Sequence, residues 1–347
     1  MATADYCFIS AYLKGQEFRL VTSRHVDRML RASTVSEVVA SIEGTDLGDY
    51  LALLPGRSHK ELDEQMWAYL RRCVSYLEWF RQCPEQIRTV LRAYLVKYDV
   101  ANLKAALRGL LTGKKSQMVP IGTLQEGGFL DRLSGASNLD GIVDVLERGG
   151  LDEYAAELKE RKALLGGSLR QRLEAEVALD RCYYNSLRRV TSRVDDAWWF
   201  AKVLGIMVDM ANLQVICRAI IEGIGREAAS FGITGGYMVP AEAVGEMASL
   251  NLRDMAARFD HTPYGTVVEE LLRQYELERS VGVIEAVVEK HKFRLLREVM
   301  APRVLSTLMV LWYLILKELE VRSIRIVLKA AADGLPLEDT RSYLVVM

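Results

Sequence analysis

The sequence predicts an all-α protein made of three copies of one helical unit, and three observations lead there. Apolar residues recur at helical spacing through most of the chain, whereas the Val, Ile and Thr alternation that marks strands is almost absent. Only seven prolines interrupt 347 residues rich in Leu, Ala, Glu and Arg. Most telling, YDVANLKAALRG (98–109) returns 110 residues later as VDMANLQVICRA (208–219).

Position zero of the repeat is an acid: Asp99, Asp209 and, in a weaker third copy, Glu320, at spacings of 110 and 111 residues. Three places on stands Asn102, Asn212 or Ser323; nine places on, a base, Arg108, Arg218 or Lys329; fourteen places on, a glycine, Gly113, Gly223 or Gly334. The first two copies share six identities over these fifteen positions, where ordinary residue frequencies give about one by chance. QMVPIGTL (117–124) and YMVPAEAV (237–244) extend the register. Repeat units of about 110 residues follow, at 1–120, 121–240 and 241–347.

Within each unit the physics is that of a long helix with a marked stop. Val100, Leu103, Leu107 and Leu110 form one apolar stripe, matched by Met210, Leu213, Cys217 and Ile220. Burying four such side chains is worth roughly 6–12 kcal/mol before conformational entropy is subtracted. The recurrent glycine suits a left-handed helix stop, with a base nearby to complement the negative helix end. Acid and base lie half a turn apart around the helix, so each needs its own surroundings.

Shorter echoes precede the long helices. TVSEVVASIEGTDLGDYL (34–51), NLDGIVDVLERGGLDEYA (138–155) and NLRDMAARFDHTPYGTVV (251–268) each begin with a capping residue, Thr34, Asn138 or Asn251. Each then reaches a tyrosine, Tyr50, Tyr154 or Tyr264, after a turn. Pro84-Glu85 is a helix-opening pair, and no breaker follows before Gly109, a helix of about 40 Å. Asp195-Asp196 reads as the cap of WWFAKVLGI (198–206), and Trp198, Trp199, Trp312 and Tyr313 as packing residues. The apolar run 304–316 has thirteen residues, short of the ~20 that a bilayer requires, and is expected to be a buried helix.

Chemistry is sparse. GLLTGKKS (109–116) has three residues between its glycines where a phosphate-binding loop has four, and it follows a helix; a basic helix end is the better reading. EGIGREAASFGITGG (222–236) lacks the dinucleotide spacing and reads as a connecting loop. The four histidines show no metal-ligand spacing, and His261 with Asp260 reads as a turn. Cys7, Cys73, Cys83, Cys182 and Cys217 are odd in number and scattered, so a reducing compartment is expected. A net charge of −1, from 45 basic and 46 acidic residues, argues against nucleic acid as a partner. No catalytic residue, cofactor or metal is expected. The repeated acid and Asn have two readings: they satisfy groups of neighbouring segments, or they converge on a partner.

The strings YLVKYDVANLKAALRG (94–109), LGIMVDMANLQVICRA (204–219) and LKELEVRSIRIVLKAAADGLP (316–336), with the opening 11–51, resemble the C subunit of A/V-type ATP synthases, whose counterpart in vacuolar ATPases is the d subunit. That family has Asn where this chain has Ser323. The resemblance implies a non-catalytic rotor part: three helical domains in a funnel, on the cytoplasmic side of the membrane. The funnel seats on the proteolipid ring and receives the D/F-type central-stalk subunits, coupling ion translocation to ATP synthesis or hydrolysis. It implies no direct nucleotide binding, and the coupling ion, H⁺ or Na⁺, belongs to the ring. Without the resemblance, a helical-repeat scaffold for another complex is the alternative.

Overall fold

A computed structural model describes residues 2–52, 59–79, 84–113, 117–161 and 169–345. Cys83 and residues 114–116 of the glycine–lysine string lie outside them. Every regular element among the described residues is helical. In order these are α1 (Ala2–Gln16), α2 (Ser23–Leu30), α3 (Val35–Ser41), α4 (Asp46–Ala52), α5 (His59–Trp79) and α6 (Glu85–Thr112). Next come α7 (Thr123–Glu126), α8 (Leu130–Ser134), α9 (Leu139–Arg148), α10 (Asp152–Glu160), α11 (Leu169–Thr191) and α12 (Ala197–Ile221). Last are α13 (Val244–Met247), α14 (Leu252–Ala257), α15 (Gly265–Glu278), α16 (Gly282–Met300) and α17 (Thr307–Ala332), with short 3₁₀ turns between some of them.

The chain forms two compact units, residues 1–88 with 273–347, and residues 89–272. In the first, α17 is the spine. Its residues Thr307 to Lys317 are all buried, and it packs on α1, α3, α5 and α16. Trp312 stacks on Phe293 of α16 at 5.2 Å between centroids. In the second unit α12 is the spine, packed on α11 and on the turns that follow it. This helix is long and apolar enough to cross a membrane by length and composition, yet 67% of its apolar window is buried inside the protein. Asp209 and Asn212 sit in its middle, which suits a core helix. Along α6, Tyr183 of α11 donates to the Tyr94 carbonyl at 3.1 Å and Lys104 pairs with Asp180 at 2.5 Å.

The local signals act as the sequence implies. Thr34, Asn138 and Asn251 accept from the backbone N–H three residues on, at 3.2, 2.8 and 2.9 Å. Gly113, Gly223 and Gly334 stand at φ +66°, +69° and +68°, the left-handed region that side chains disfavour. After α12 and α17 the stop is the two-bond form: Ile224 N–H to Ala219 O and Gly223 N–H to Ile220 O, then Leu335 N–H to Ala330 O and Gly334 N–H to Ala331 O. Two expectations fail. Asp196 occupies the N-cap of α12 without a side-chain capping bond, and Trp198 is 76% exposed instead of packed. Trp198 stands in the first turn of α12, ahead of the buried residues that begin at Phe200.

The predicted stripe is buried where the helices are deepest: Leu103, Leu213 and Ile324 are each fully enclosed. Leu103→Ala or Leu213→Ala is expected to destabilise by about 2–5 kcal/mol in urea melts, while Leu111→Ala, at an exposed site near the end of α6, changes little.

Candidate functional site

A carboxylate in the middle of a buried helix finds its own backbone N–H groups already bonded within the helix, so its partners come from elsewhere. Asp99 is 0% exposed. Its two oxygens accept from the backbone N–H groups of Thr123 and Leu124, at 2.8 and 3.0 Å, at the start of α7. Three residues along α6, Asn102 makes a reciprocal pair with Val119: its amide donates to the Val119 carbonyl at 2.9 Å and its oxygen accepts from the Val119 N–H at 2.7 Å. The helix thus holds the returning chain chiefly by its backbone groups. Gly122 stands at φ +106°, and a Cβ there would meet the Asp99 carboxylate at 2.6 Å, so this contact requires glycine.

The second copy repeats the device on α12. Asp209 accepts from Met238 N–H at 2.8 Å and Val239 N–H at 2.7 Å, and also from the Tyr264 hydroxyl at 2.6 Å. Asn212 donates to the Ile233 and Val239 carbonyls at 2.9 and 2.8 Å and accepts from the Ile233 N–H at 2.8 Å. The two copies differ in register. The N–H groups held by Asp99 come 24 and 25 residues later, those held by Asp209 29 and 30 later. Tyr154, the counterpart of Tyr264, is buried; burial first, and then the charges of Cys182, Glu153 and Asp99, raise its phenol. Its hydroxyl has no hydrogen-bond partner among the described residues.

In the third copy the acid is longer and its surroundings are charged. Glu320 accepts from Val21 N–H at 2.9 Å and pairs with Lys317 at 3.3 Å. Lys317, 1% exposed, also reaches Asp46 at 3.2 Å and the Tyr69 hydroxyl at 2.8 Å. Ser323, where the other copies have Asn, reaches the Val345 carbonyl at 3.5 Å, the limit of a hydrogen bond. The repeated bases stand apart from the acids. Arg108, Arg218 and Lys329 are all exposed, and Arg108 makes a two-pronged pair with Glu176 at 2.8 Å for each bond. Exposed pairs of this kind contribute about 1 kcal/mol or less.

The repeated acids and the Asn or Ser one turn on are therefore bonded within their own chain. Sequence alone leaves open what they bind, although the MVP echo at 118–120 and 238–240 is a signal, because it marks the segments they hold. Burial pushes the Cys217 thiol up to about 12, far from a reactive thiolate. His261 sits in an exposed turn at φ +66°. No group of three or more metal-ligating side chains occurs among the described residues.

Burial dominates the charge state of these acids. Asp99 is pushed up to about 6 by burial, against the pull of the Leu124 and Thr123 N–H groups. Asp209 and Glu320 move upward for the same first reason, opposed chiefly by Tyr264 and Lys317 respectively. For Asp99 the sign is clear. Between the ordinary 3.8 and about 6 the folded chain holds a proton that the unfolded chain has lost, so this residue's contribution falls as pH rises through that window. Carboxyl-carbon NMR is expected to place the Asp99 midpoint near 6, and the stability lost across the window amounts to about 3 kcal/mol at ~1.4 kcal/mol per pH unit. A midpoint near 4 would mean that the two N–H groups fully offset burial. Asn212→Ala strips the partner from the Ile233 N–H and two carbonyls, and thermal or urea unfolding is expected to show a loss of about 2–5 kcal/mol.

Comparison with known proteins gives the family. A family model described as "ATP synthase (C/AC39) subunit" matches residues 9–343. The C subunit of the A-type ATP synthase of Methanocaldococcus jannaschii is 22% identical over an alignment covering 99% of this chain and 86% of its own. The C subunit from Methanothermobacter thermautotrophicus is 27% identical, covering 95% and 85%, and that from Thermococcus kodakarensis 25%, covering 97% and 90%. The match spans all three copies of the acid helix, and with it the resemblance carried by the ANL strings holds: the chain belongs to the ATP synthase (C/AC39) subunit family, as a non-catalytic subunit.

Proposed function

We propose that this subunit is the rotor adaptor of an A/V-type ATP synthase. It seats on the membrane proteolipid ring and receives the D/F-type central stalk, so that rotation couples ion translocation to ATP synthesis or hydrolysis. The observation that carries the reading is the family match over residues 9–343. Three repeat units, 1–120, 121–240 and 241–347, in a funnel would give a socket wall with three similar faces. The chain would lie on the cytoplasmic side, held peripherally through the ring.

The buried sockets support this reading in a particular way. A part that transmits torque needs stiffness, and stiffness comes from close-packed helices whose connecting segments cannot slide. Asp99, Asn102, Asp209 and Asn212 fasten such segments to the long helices at their mid-length. They would serve a partner indirectly, through the segments they position. Contact itself falls to exposed apolar side chains such as Phe18, Trp198 and Tyr237, the residue type that interfaces favour.

The test is an affinity pull-down of the tagged subunit from gently solubilised native membranes, read by mass spectrometry. Co-recovery of the proteolipid, the stalk subunits and the nucleotide-binding subunits is expected. Recovery of the nucleotide-binding head without proteolipid, from membranes where the complex is intact, would reject the ring-to-stalk placement. Replacing Trp198 by Asp is expected to weaken stalk or ring recovery at least about tenfold while leaving the melt unchanged.

A further inference from the structure

The three acid sockets are not equally fastened. In the first, four hydrogen bonds tie α6 to the backbone of residues 119–124, two from Asp99 and two from Asn102. In the second, Asp209 and Asn212 make five bonds to the backbone of residues 233–239, and Tyr264 adds a sixth to the carboxylate. In the third, the corresponding backbone pieces are no longer one continuous loop. Val345 follows Ser323 by 22 residues, as Ile233 follows Asn212 by 21, whereas the segment crossing the acid is Leu20-Val21-Thr22, with Val21 299 residues away from Glu320 in sequence. Among the described residues, only the Val21 N–H and a 3.5 Å contact to Val345 remain as bonds from Glu320 and Ser323 to backbone of other segments.

What replaces them is a set of charges. Lys317 stands between Glu320 and Asp46, with the Tyr69 hydroxyl on it and the Tyr69 and Tyr313 rings 5.4 and 5.6 Å away. Asp46 also takes Arg19, two residues before Val21, and Arg19 reaches Asp49 at 2.7 Å. A side-chain ion network of this sort is held together only while every member is paired. Removal of one member leaves a buried charge without a partner.

We infer that the third socket is the releasable joint of the three: the stretch Glu17–Thr22, between α1 and α2, disengages from α17 while the sockets at Asp99 and Asp209 stay closed, with Lys317 as its latch. The first unit then has a hinge at which α1 changes its angle to α2, a freedom that the second unit lacks at its own two clasps. Local openings of this kind draw on the least protected bonds of a fold, and among the described residues Val21 alone gives Glu320 a backbone N–H.

Native-state hydrogen exchange on the full chain tests it. After correction for intrinsic rates, the Val21 amide is expected to exchange at least about tenfold faster than Leu124 and Val239. Lys317→Met is expected to speed Val21 further and leave Leu124 and Val239 unmoved. Ser323→Asn supplies the amide that in the second socket grips Ile233 and Val239, and it is expected to slow Val21; this variant leaves the charged network intact and does not rely on the first one folding. Val21 exchanging no faster than the other two amides would overturn the inference. So would Lys317→Met speeding all three alike, or Ser323→Asn leaving Val21 as it was.

Discussion

A carboxylate buried in the middle of a helix is the constraint on which the rest of this structure depends. It cannot turn to its own helix for hydrogen bonds, and leaving it without partners is among the larger penalties a fold can carry. At Asp99 and Asp209 the remedy is a returning segment whose free backbone N–H groups point at the carboxylate. The Asn one turn further on completes the grip by imitating a neighbouring strand, donating to and accepting from the backbone of a single residue in the first copy. The long helices, the loops beside them and the path of the chain between repeats all follow from that one requirement. Even so, the N–H groups do not restore a solvent-like environment, since burial still holds the Asp99 carboxyl at about 6.

The helices were legible in the sequence because their signals are local. Capping by Thr34, Asn138 and Asn251, the stop glycines and the apolar stripe each act within a turn or two of their own position. The half-turn separation of acid from base was equally readable, and it leaves Asp99 enclosed while Arg108 faces outward. What the acids hold was not readable, since Thr123 and Met238 stand 24 and 29 residues away and nothing in their side chains marks them as donors. Least legible was the third copy. Val21 is 299 residues from Glu320 in sequence, and no periodicity links them. Trp198 shows the opposite failure: a large aromatic at helical spacing invites a packing assignment, yet its place at the first turn leaves it facing out.

The third copy also shows how a repeated task can be met by different chemistry. Glu320 is one methylene longer than aspartate and sits beside a lysine one turn back on its own helix, so part of its need is met within α17. Lys317 in turn requires Asp46 and Tyr69. Each substitution for a backbone bond thus brings a further buried charge with its own requirement, and the network extends until it reaches Arg19 near the surface.

The difference in register between the first two clasps has a consequence for how such a chain diverges. Two consecutive peptide N–H groups serve the aspartate in both copies, with a glycine beside each clasp, Gly122 or Gly236, where a Cβ would meet the carboxylate. Insertions can therefore lengthen the path from helix to clasp, as from 24 to 29 residues here, without disturbing the acid. Selection then acts narrowly on a few helical positions and on the glycine beside each clasp, and more loosely on the path between them. A protein fastened this way can drift to 22–27% identity with relatives such as those of Methanocaldococcus and Methanothermobacter and still align with them from end to end.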